Sequence, residues 1–214
     1  MKKDMGGAAH VMALGKLIMG SSLPCQLRIL IPAVENAIDG NAFRPGDVLE
    51  SRKGLSVEIS NTDAEGRLVL GDALTEADSE APDLLIDMAT LTGAARVALG
   101  HHLPPFFTDD EKLATSISEA ARQVNDPLWR LPLWNGYDAM LDSKIANVNH
   151  AAESPFAGSI TAALFLRRFV EEAKSWVHLD VYAWNPAPRA GRPVGGEAQT
   201  IRALFEVIKT RCAN

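Results

Sequence analysis

"NTDAEGRLVLGDAL", residues Asn61–Leu74, stands where one hydrophobic period gives way to another. Just before it, Val57 and Ile59 alternate with Ser56, Glu58 and Ser60, the period-two pattern of a half-buried strand. From Arg67 to about Ala77 the pattern becomes helical. The stretch is therefore a strand-to-helix junction, and that junction recurs along the chain.

Working outward, the segment upstream of the strand reads as its hairpin partner. "DVLESRKGLSVEIS" turns near Lys53-Gly54. "QLRILIPAVEN" before it has Leu27, Ile29, Leu30 and Ile31 in a nearly continuous apolar run, as expected of a buried strand. Gly6 to Met19 carries Val11, Leu14, Leu17 and Ile18 at helical spacing, closed by Gly20 and Pro24. Downstream, "DLLIDMATL" is a second buried strand and "ARVALG" a third. Asp110 to Gln123 is an amphipathic helix with Thr108 or Asp109 as its cap. Gly158 to Lys174 is a helix, "WVHLDVYAW" a final buried strand, and Gln199 to Lys209 a closing helix. Strands alternating with helices predict a three-layer α/β/α sandwich around a mixed, mostly parallel central sheet. Residues 1–214 are expected to form a single domain. In such sheets, sites gather at strand ends and in the loops beyond them.

Composition narrows the function. The chain has 214 residues, 47% hydrophobic and 22% charged, with a net charge of -6, as in an ordinary globular protein. No run of lysine and arginine offers the clustered cations that nucleic acid requires. The apolar runs are too short to predict a membrane span, and "MKKDMGGAAH" has no apolar core for a signal peptide. Cys25 and Cys212 form no CxxC pattern, consistent with a reducing cytoplasm. No GxGxxG or GxxxxGK[ST] supports a nucleotide-binding reading.

The junction itself has two readings. In an extended backbone Asp63 and Glu65 share a face, with the small Ala64 turned away. Paired carboxylates repel unless a cation lies between them, and a pair of divalent ions would resolve that conflict. Gly66 would permit a tight turn, and Arg67 would hold an anion or steady a charged intermediate. The plainer reading is a helix cap, with Thr62 or Asp63 as N-cap and Glu65 in the first turn, where acidic residues favour the helix dipole. DxE alone does not decide between them, and on composition the cap is the commoner outcome.

"NTDAEGRLVLGDAL" resembles the signature of the leucyl aminopeptidase (cytosol aminopeptidase) family. "MKKDMGGAA", "NAFRPGDVL", "DMATLTGA", "ALGHH", "GSITAALFL" and "HLD" resemble further family blocks, in family order. The resemblance implies a zinc-exopeptidase-like fold and a metallo-aminopeptidase that removes N-terminal residues, leucine-type by preference, from peptide substrates. It implies two divalent ions, Mn²⁺ or Zn²⁺ with Mg²⁺ as an alternative, on Asp4, Asp63 and Glu65. It places a bicarbonate-like anion on Arg67, main-chain substrate contacts on Leu91 and Gly93, and the pocket for the N-terminal side chain at Met1 and Thr90. A cytoplasmic homo-hexamer is implied as the assembly.

One departure stands out. The family's upstream stretch, which supplies a lysine ligand, a bridging aspartate and a carbonyl-polarising lysine, is not matched: the sequence starts three residues before Asp4. The family's separate N-terminal domain is not matched either. Roughly half of the implied ligand set is present, so weak or no activity is expected of this chain. A degenerate, non-catalytic scaffold is the rival reading. His101 and His102 are expected to be structural, and His178 with Asp180 a buried hydrogen-bonding pair. Asp72 and Asp87 are read as helix-surface and strand-end carboxylates. Trp129, Trp134, Trp176 and Trp184 are read as core or subunit contacts.

Overall fold

The computed structural model describes residues 2–213. A 3-10 turn, Lys2–Met5, runs into helix α1, Gly6–Gly20. Strands β1 (Val48–Glu50) and β2 (Ser56–Glu58) come next, then a 3-10 turn, Thr62–Ala64, and helix α2 (Glu65–Asp78). Beyond them lie β3 (Leu85–Ala89), α3 (Gly93–Leu99), β4 (Pro105–Phe107), α4 (Glu111–Gln123) and β5 (Trp129–Arg130). A 3-10 segment, Asn135–Leu141, precedes β6 (Val148–Asn149) and α5 (Gly158–Arg167). The chain closes with β7 (Trp176–Asp180), β8 (Trp184–Asn185), β9 (Gly195–Gly196) and α6 (Ile201–Ala213).

The central sheet has the order β3-β7-β4-β5, with β3 parallel to β7, β7 antiparallel to β4, and β4 parallel to β5. Alternation along β7 builds the layers. Val177, Leu179 and Val181 face one side and join Leu14 and Ile18 of α1, Leu113 and Ile117 of α4, and Leu204 and Val207 of α6. Trp176 faces the other side, with Leu74 of α2 and Leu164, Phe165 and Phe169 in and just after α5. Helices thus cover both faces of a mixed sheet, as alternation in the sequence predicts. A smaller sheet, β1-β2-β6, lies beside it, with β2 parallel to β6, and β8 and β9 form a separate antiparallel pair.

The hairpin turn forms where expected, with Gly54 at a φ of 80°. Five other expectations are corrected. "ARVALG" is helix α3, not a strand: the Thr92 hydroxyl accepts the Ala95 N–H, and Gly100, at a φ of 74°, ends the helix. So short an apolar run has no period long enough to separate the two states. β4 at Pro105–Phe107 takes the strand's place. "QLRILIPAVEN" belongs to no strand ladder among the described residues. Its apolar side chains are partly exposed, Val34 at 58%, while Ile29 packs over Gly15 of α1 and Arg28 pairs with Glu76 and Glu80 of α2 and its C-terminal end.

The cap of α4 is Asp110, whose carboxylate accepts the N–H groups of Lys112 (2.9 Å) and Leu113 (3.0 Å), rather than Thr108 or Asp109. Helix α5 ends at Arg167, short of Lys174, because the buried Asp78 carboxylate captures the N–H groups of Glu171, Glu172 and Ala173. Those bonds bend the chain toward β7. The final strand is likewise interrupted: Ala183, at a φ of 58°, separates β7 from β8. Trp176 is a core residue, whereas Trp129 and Trp134 stand exposed. Cys25 and Cys212 are free thiols that meet at the ends of their segments; burial, then a hydrogen bond to Cys25, pushes the Cys212 thiol up.

The head of α1 lies directly on the end of β3. A Cβ on Gly7 would come within 2.2 Å of the Met88 carbonyl oxygen and 2.8 Å of Ala89 Cα. Both are backbone atoms and neither can yield cheaply. Gly7→Ala is expected to lower stability by about 2 kcal/mol, more than a helix-interior alanine would restore through propensity. Urea unfolding of the two proteins checks this.

Candidate active site at the ends of β3 and β7

Three segments come together at the ends of β3 and β7: the head of α1, the turn at residues 90–93, and the head of α2. The Thr90 hydroxyl donates to the Asp4 carbonyl at 3.2 Å. The Leu91 side chain lies 3.8 Å from where a Cβ on Gly66 would sit. Asp180, the last residue of β7, accepts N–H groups from Leu91 (3.0 Å) and Thr92 (3.2 Å). This is where ligands bind in open α/β sheets.

The Asn61–Arg67 stretch is a helix start, not an extended strand. The Asn61 side chain, rather than Thr62 or Asp63, is the cap, accepting the Asp63 N–H at 3.0 Å. Asp63 has φ -85° and ψ 15°, and Glu65 begins α2. Neither Asp63 nor Ala64, at φ -117° and ψ 28°, is extended, so the strand alternation that would put Asp63 and Glu65 on one face does not apply here. Asp63 is exposed. Glu65 is half-buried, and one of its oxygens accepts a hydrogen bond from the Asn36 amide at 2.8 Å.

His150, on a stretch without legible periodicity, holds this turn in place. Its ring is fully buried; Nδ1 accepts the Ser60 N–H at 3.2 Å, and Nε2 lies 2.7 Å from the Asn61 carbonyl. That arrangement suits the neutral tautomer with its proton on Nε2. Burial holds the His150 pKa below its ordinary value, with Arg67 adding to the effect.

Arg67 is only 8% exposed and donates to the His150 carbonyl at 2.7 Å. Its Nε has no hydrogen-bond partner, and no carboxylate among the described residues lies within salt-bridge distance. Burial pushes its pKa down to about 10, against the opposing pull of Asp180. A buried cation with an unused donor is suited to an anion.

The donor chemistry at Asp4, Asp63 and Glu65 suits a hard divalent ion, being oxygen only. Their number does not. Among the described residues no three histidine, cysteine, aspartate or glutamate side chains come together to hold a metal ion. Asp4 is exposed on the turn before α1, Thr90 and Leu91 are half-buried and Gly93 is exposed. Met1 lies outside the described residues.

The expected His178–Asp180 pair does not form; each finds a different partner. His178 Nδ1 meets Asp87 Oδ1 at 2.5 Å, and the Trp176 indole donates to the other Asp87 oxygen at 2.8 Å. Asp87 is thus a buried mid-strand carboxylate, not a strand-end one. Burial opposes the imidazolium of His178, but Asp87, through charge and hydrogen bond, with help from Asp180, raises its pKa overall. Asp180 is also raised, by burial first, against His178 and the donors of Leu91 and Thr92. His101 and His102 stack edge to face, and the His101 carbonyl accepts the Gln199 amide, in keeping with a structural role.

The signs of these shifts are separable. A raised histidine contributes stability that is present below its unfolded pKa, about 6.5, and lost as pH rises through the folded value. Proton NMR titration is expected to show His178 above its ordinary value and His10 and His150 below it, with burial the leading cause in the latter two. In Asp87→Asn the His178 value should drop below that of an exposed histidine. An unchanged value would remove the ion pair from the account.

Comparison with known proteins places this geometry. Residues 1–205 match the cytosol aminopeptidase family, catalytic domain. A protein named "Probable cytosol aminopeptidase" from Chlorobium luteolum is 45% identical over 211 residues, covering 98% of this chain and 41% of that protein. One of the same name from Stenotrophomonas maltophilia is 48% identical over 200 residues, covering 91% and 40% respectively. The crystal structure of the cytosol aminopeptidase from Coxiella burnetii superposes with a TM-score of 0.96 at 52% identity, over 99% of this chain and 46% of that one. The bottromycin maturation enzyme BotP in complex with Mn superposes at 0.92 with 38% identity, over 98% and 47%. The chain thus spans about two fifths of those curated relatives and just under half of those solved chains. With its sheet, its junction and its sequence all matched across nearly its whole length, the chain belongs to the cytosol aminopeptidase family.

Proposed function

We propose that this chain is the C-terminal portion of the catalytic domain of a metal-dependent aminopeptidase, which releases N-terminal residues, leucine-type by preference, from peptides. The observation that carries the reading is Arg67: a buried guanidinium with no carboxylate partner among the described residues and an unpaired Nε, at the head of α2 beside the ends of β3 and β7. A bicarbonate-like anion there satisfies the charge. Relatives named as aminopeptidases and a neighbour solved with Mn support the class.

The proposed cofactors are two divalent ions, Mn²⁺ or Zn²⁺ with Mg²⁺ as an alternative, which in hydrolases of this kind activate water and polarise the scissile carbonyl. Asp4, Asp63 and Glu65 are the proposed contributors from this chain. They do not make a closed set, so the remaining donors come from polypeptide outside these residues. The chain's own part is to fix the anion at Arg67 and to present the turn at 90–93 to the peptide. Thr90 and Met1 are assigned to the side-chain pocket, Leu91 and Gly93 to the main chain of the substrate. A cytoplasmic homo-hexamer is the proposed assembly; no helix among the described residues is long and apolar enough to cross a membrane.

Leucine amide hydrolysis with added Mn²⁺ or Zn²⁺ tests the reading. Slow turnover is expected from the 214-residue chain, dependent on added metal and abolished in Arg67→Ala and Asp63→Ala. Turnover that survives Asp63→Ala overturns the metal assignment. Tight binding of two ions per chain at micromolar concentration overturns the incomplete ligand set.

A further inference from the structure

The main chain at Leu91 is less free than a peptide-binding role would suggest. Its N–H is already directed to Asp180 Oδ1 at 3.0 Å, and the next N–H, of Thr92, points to the same oxygen at 3.2 Å. The other oxygen, Oδ2, accepts the Thr92 hydroxyl at 2.6 Å and lies 3.5 Å from the Ser159 hydroxyl. The Thr92 oxygen in turn accepts the Ala95 N–H at 3.1 Å and so caps α3. One carboxylate on β7 therefore sets the path of the chain from the end of β3 to the first turn of α3.

The other flank of the turn is fixed as well. Thr90 donates to Asp4, and its methyl lies 3.0 Å from where a Cβ on Gly6 would be. Between these two anchors Leu91 keeps only its carbonyl to offer a ligand, and Gly93 stands exposed. A buried carboxylate is weak evidence for stability, since apolar packing would serve a sheet end as well or better. What it provides here is direction, by holding two adjacent N–H groups inward.

We propose that Asp180, acting through Thr92, is the positioning residue of the peptide-binding turn, orienting the main chain of Leu91 to Gly93 toward the substrate. The assignment rests on the aminopeptidase reading. Asp180 touches no substrate in this scheme; it decides which main-chain groups face the ligand. A turn released from it would rotate, and misplacement of about 1 Å at such a contact costs up to about 10²-fold.

The test is binding of the dipeptide Leu-Leu to the whole chain in the presence of Zn²⁺, measured by calorimetry alongside the melting temperature of the ligand-free protein. Thr92→Val removes the hydroxyl at nearly constant volume, and Thr92→Ser keeps it. The expected result is a Kd weakened about tenfold in Thr92→Val and close to that of the unaltered chain in Thr92→Ser. Asp180→Asn should weaken binding in the same direction; should it fail to fold, the two Thr92 variants decide alone. A Thr92→Val protein that melts lower but binds with unchanged Kd overturns the positioning assignment and leaves the peptide reading standing. An unaltered chain that does not bind Leu-Leu overturns the peptide reading, and the assignment with it.

Discussion

β3 and β7 run side by side and parallel for five residues, from Leu85 opposite Trp176 to Ala89 opposite Asp180. Because they are parallel, both leave the sheet at the same end. The segments that continue the two strands must therefore meet, and β3 continues into the turn at 90–93. The head of α1 reaches the same end, because Gly6 and Gly7 leave room for Ala183, Thr90 and the backbone of Met88. Antiparallel pairing would have carried the two strand ends to opposite sides of the molecule. The site is a consequence of strand direction before it is one of side-chain chemistry.

Charge accumulates on one face of that pair. Alternation places Trp176, His178 and Asp180 on the side of α2 and α5, together with Asp87 from β3. Each ionic group there is buried, and each is met by a donor or acceptor from another element. His178 rests on Asp87, and Asp180 on the turn after β3. Arg67 is the exception, paired with a carbonyl and influenced by Asp180 only at a distance. In a low-dielectric setting such an imbalance is costly unless an anion relieves it. Among the described residues of this face His178 Nε2 also lacks a hydrogen-bond partner, but His178 has Asp87 beside it, whereas Arg67 has no carboxylate at salt-bridge distance.

Much of this is legible in the sequence, and the failures have causes. Helices α1, α2 and α4 carry clear periods, and β7 is legible as a buried strand although His178 and Asp180 interrupt its apolar residues. α3 escapes periodicity because seven residues cannot show a period, and its signal is a capping threonine and a terminal glycine. The edge segment at 26–36 has the composition of a buried strand but no strand beside it among the described residues. Composition reports what a segment can pair with, not whether the partner is at hand. Asp78 is silent as well: no local pattern announces that a carboxylate at the end of α2 will bind amides at 171–173, far along the chain. His150 and Asn36 organise the junction from afar, in stretches where periodicity gives no guide. The position of Arg67 can be read from the motif, but its burial cannot.

The junction shows most plainly how a motif can be right for a reason other than the obvious one. The shared face read for Asp63 and Glu65 assumes extended backbone, and the chain there instead turns through a kink between a 3-10 turn and α2. Glu65 meets the Asn36 amide there. Arg67 lies in the first turn of α2 and is buried. The plainer cap reading captures the helix start but names the wrong residue, since Asn61 caps the 3-10 turn that leads into α2, and α2 itself, entered at Ala64, has no side-chain cap. Cap and site are therefore not rivals: the asparagine that begins the turn stands two residues before Asp63, and the same junction leads into the helix that buries Arg67.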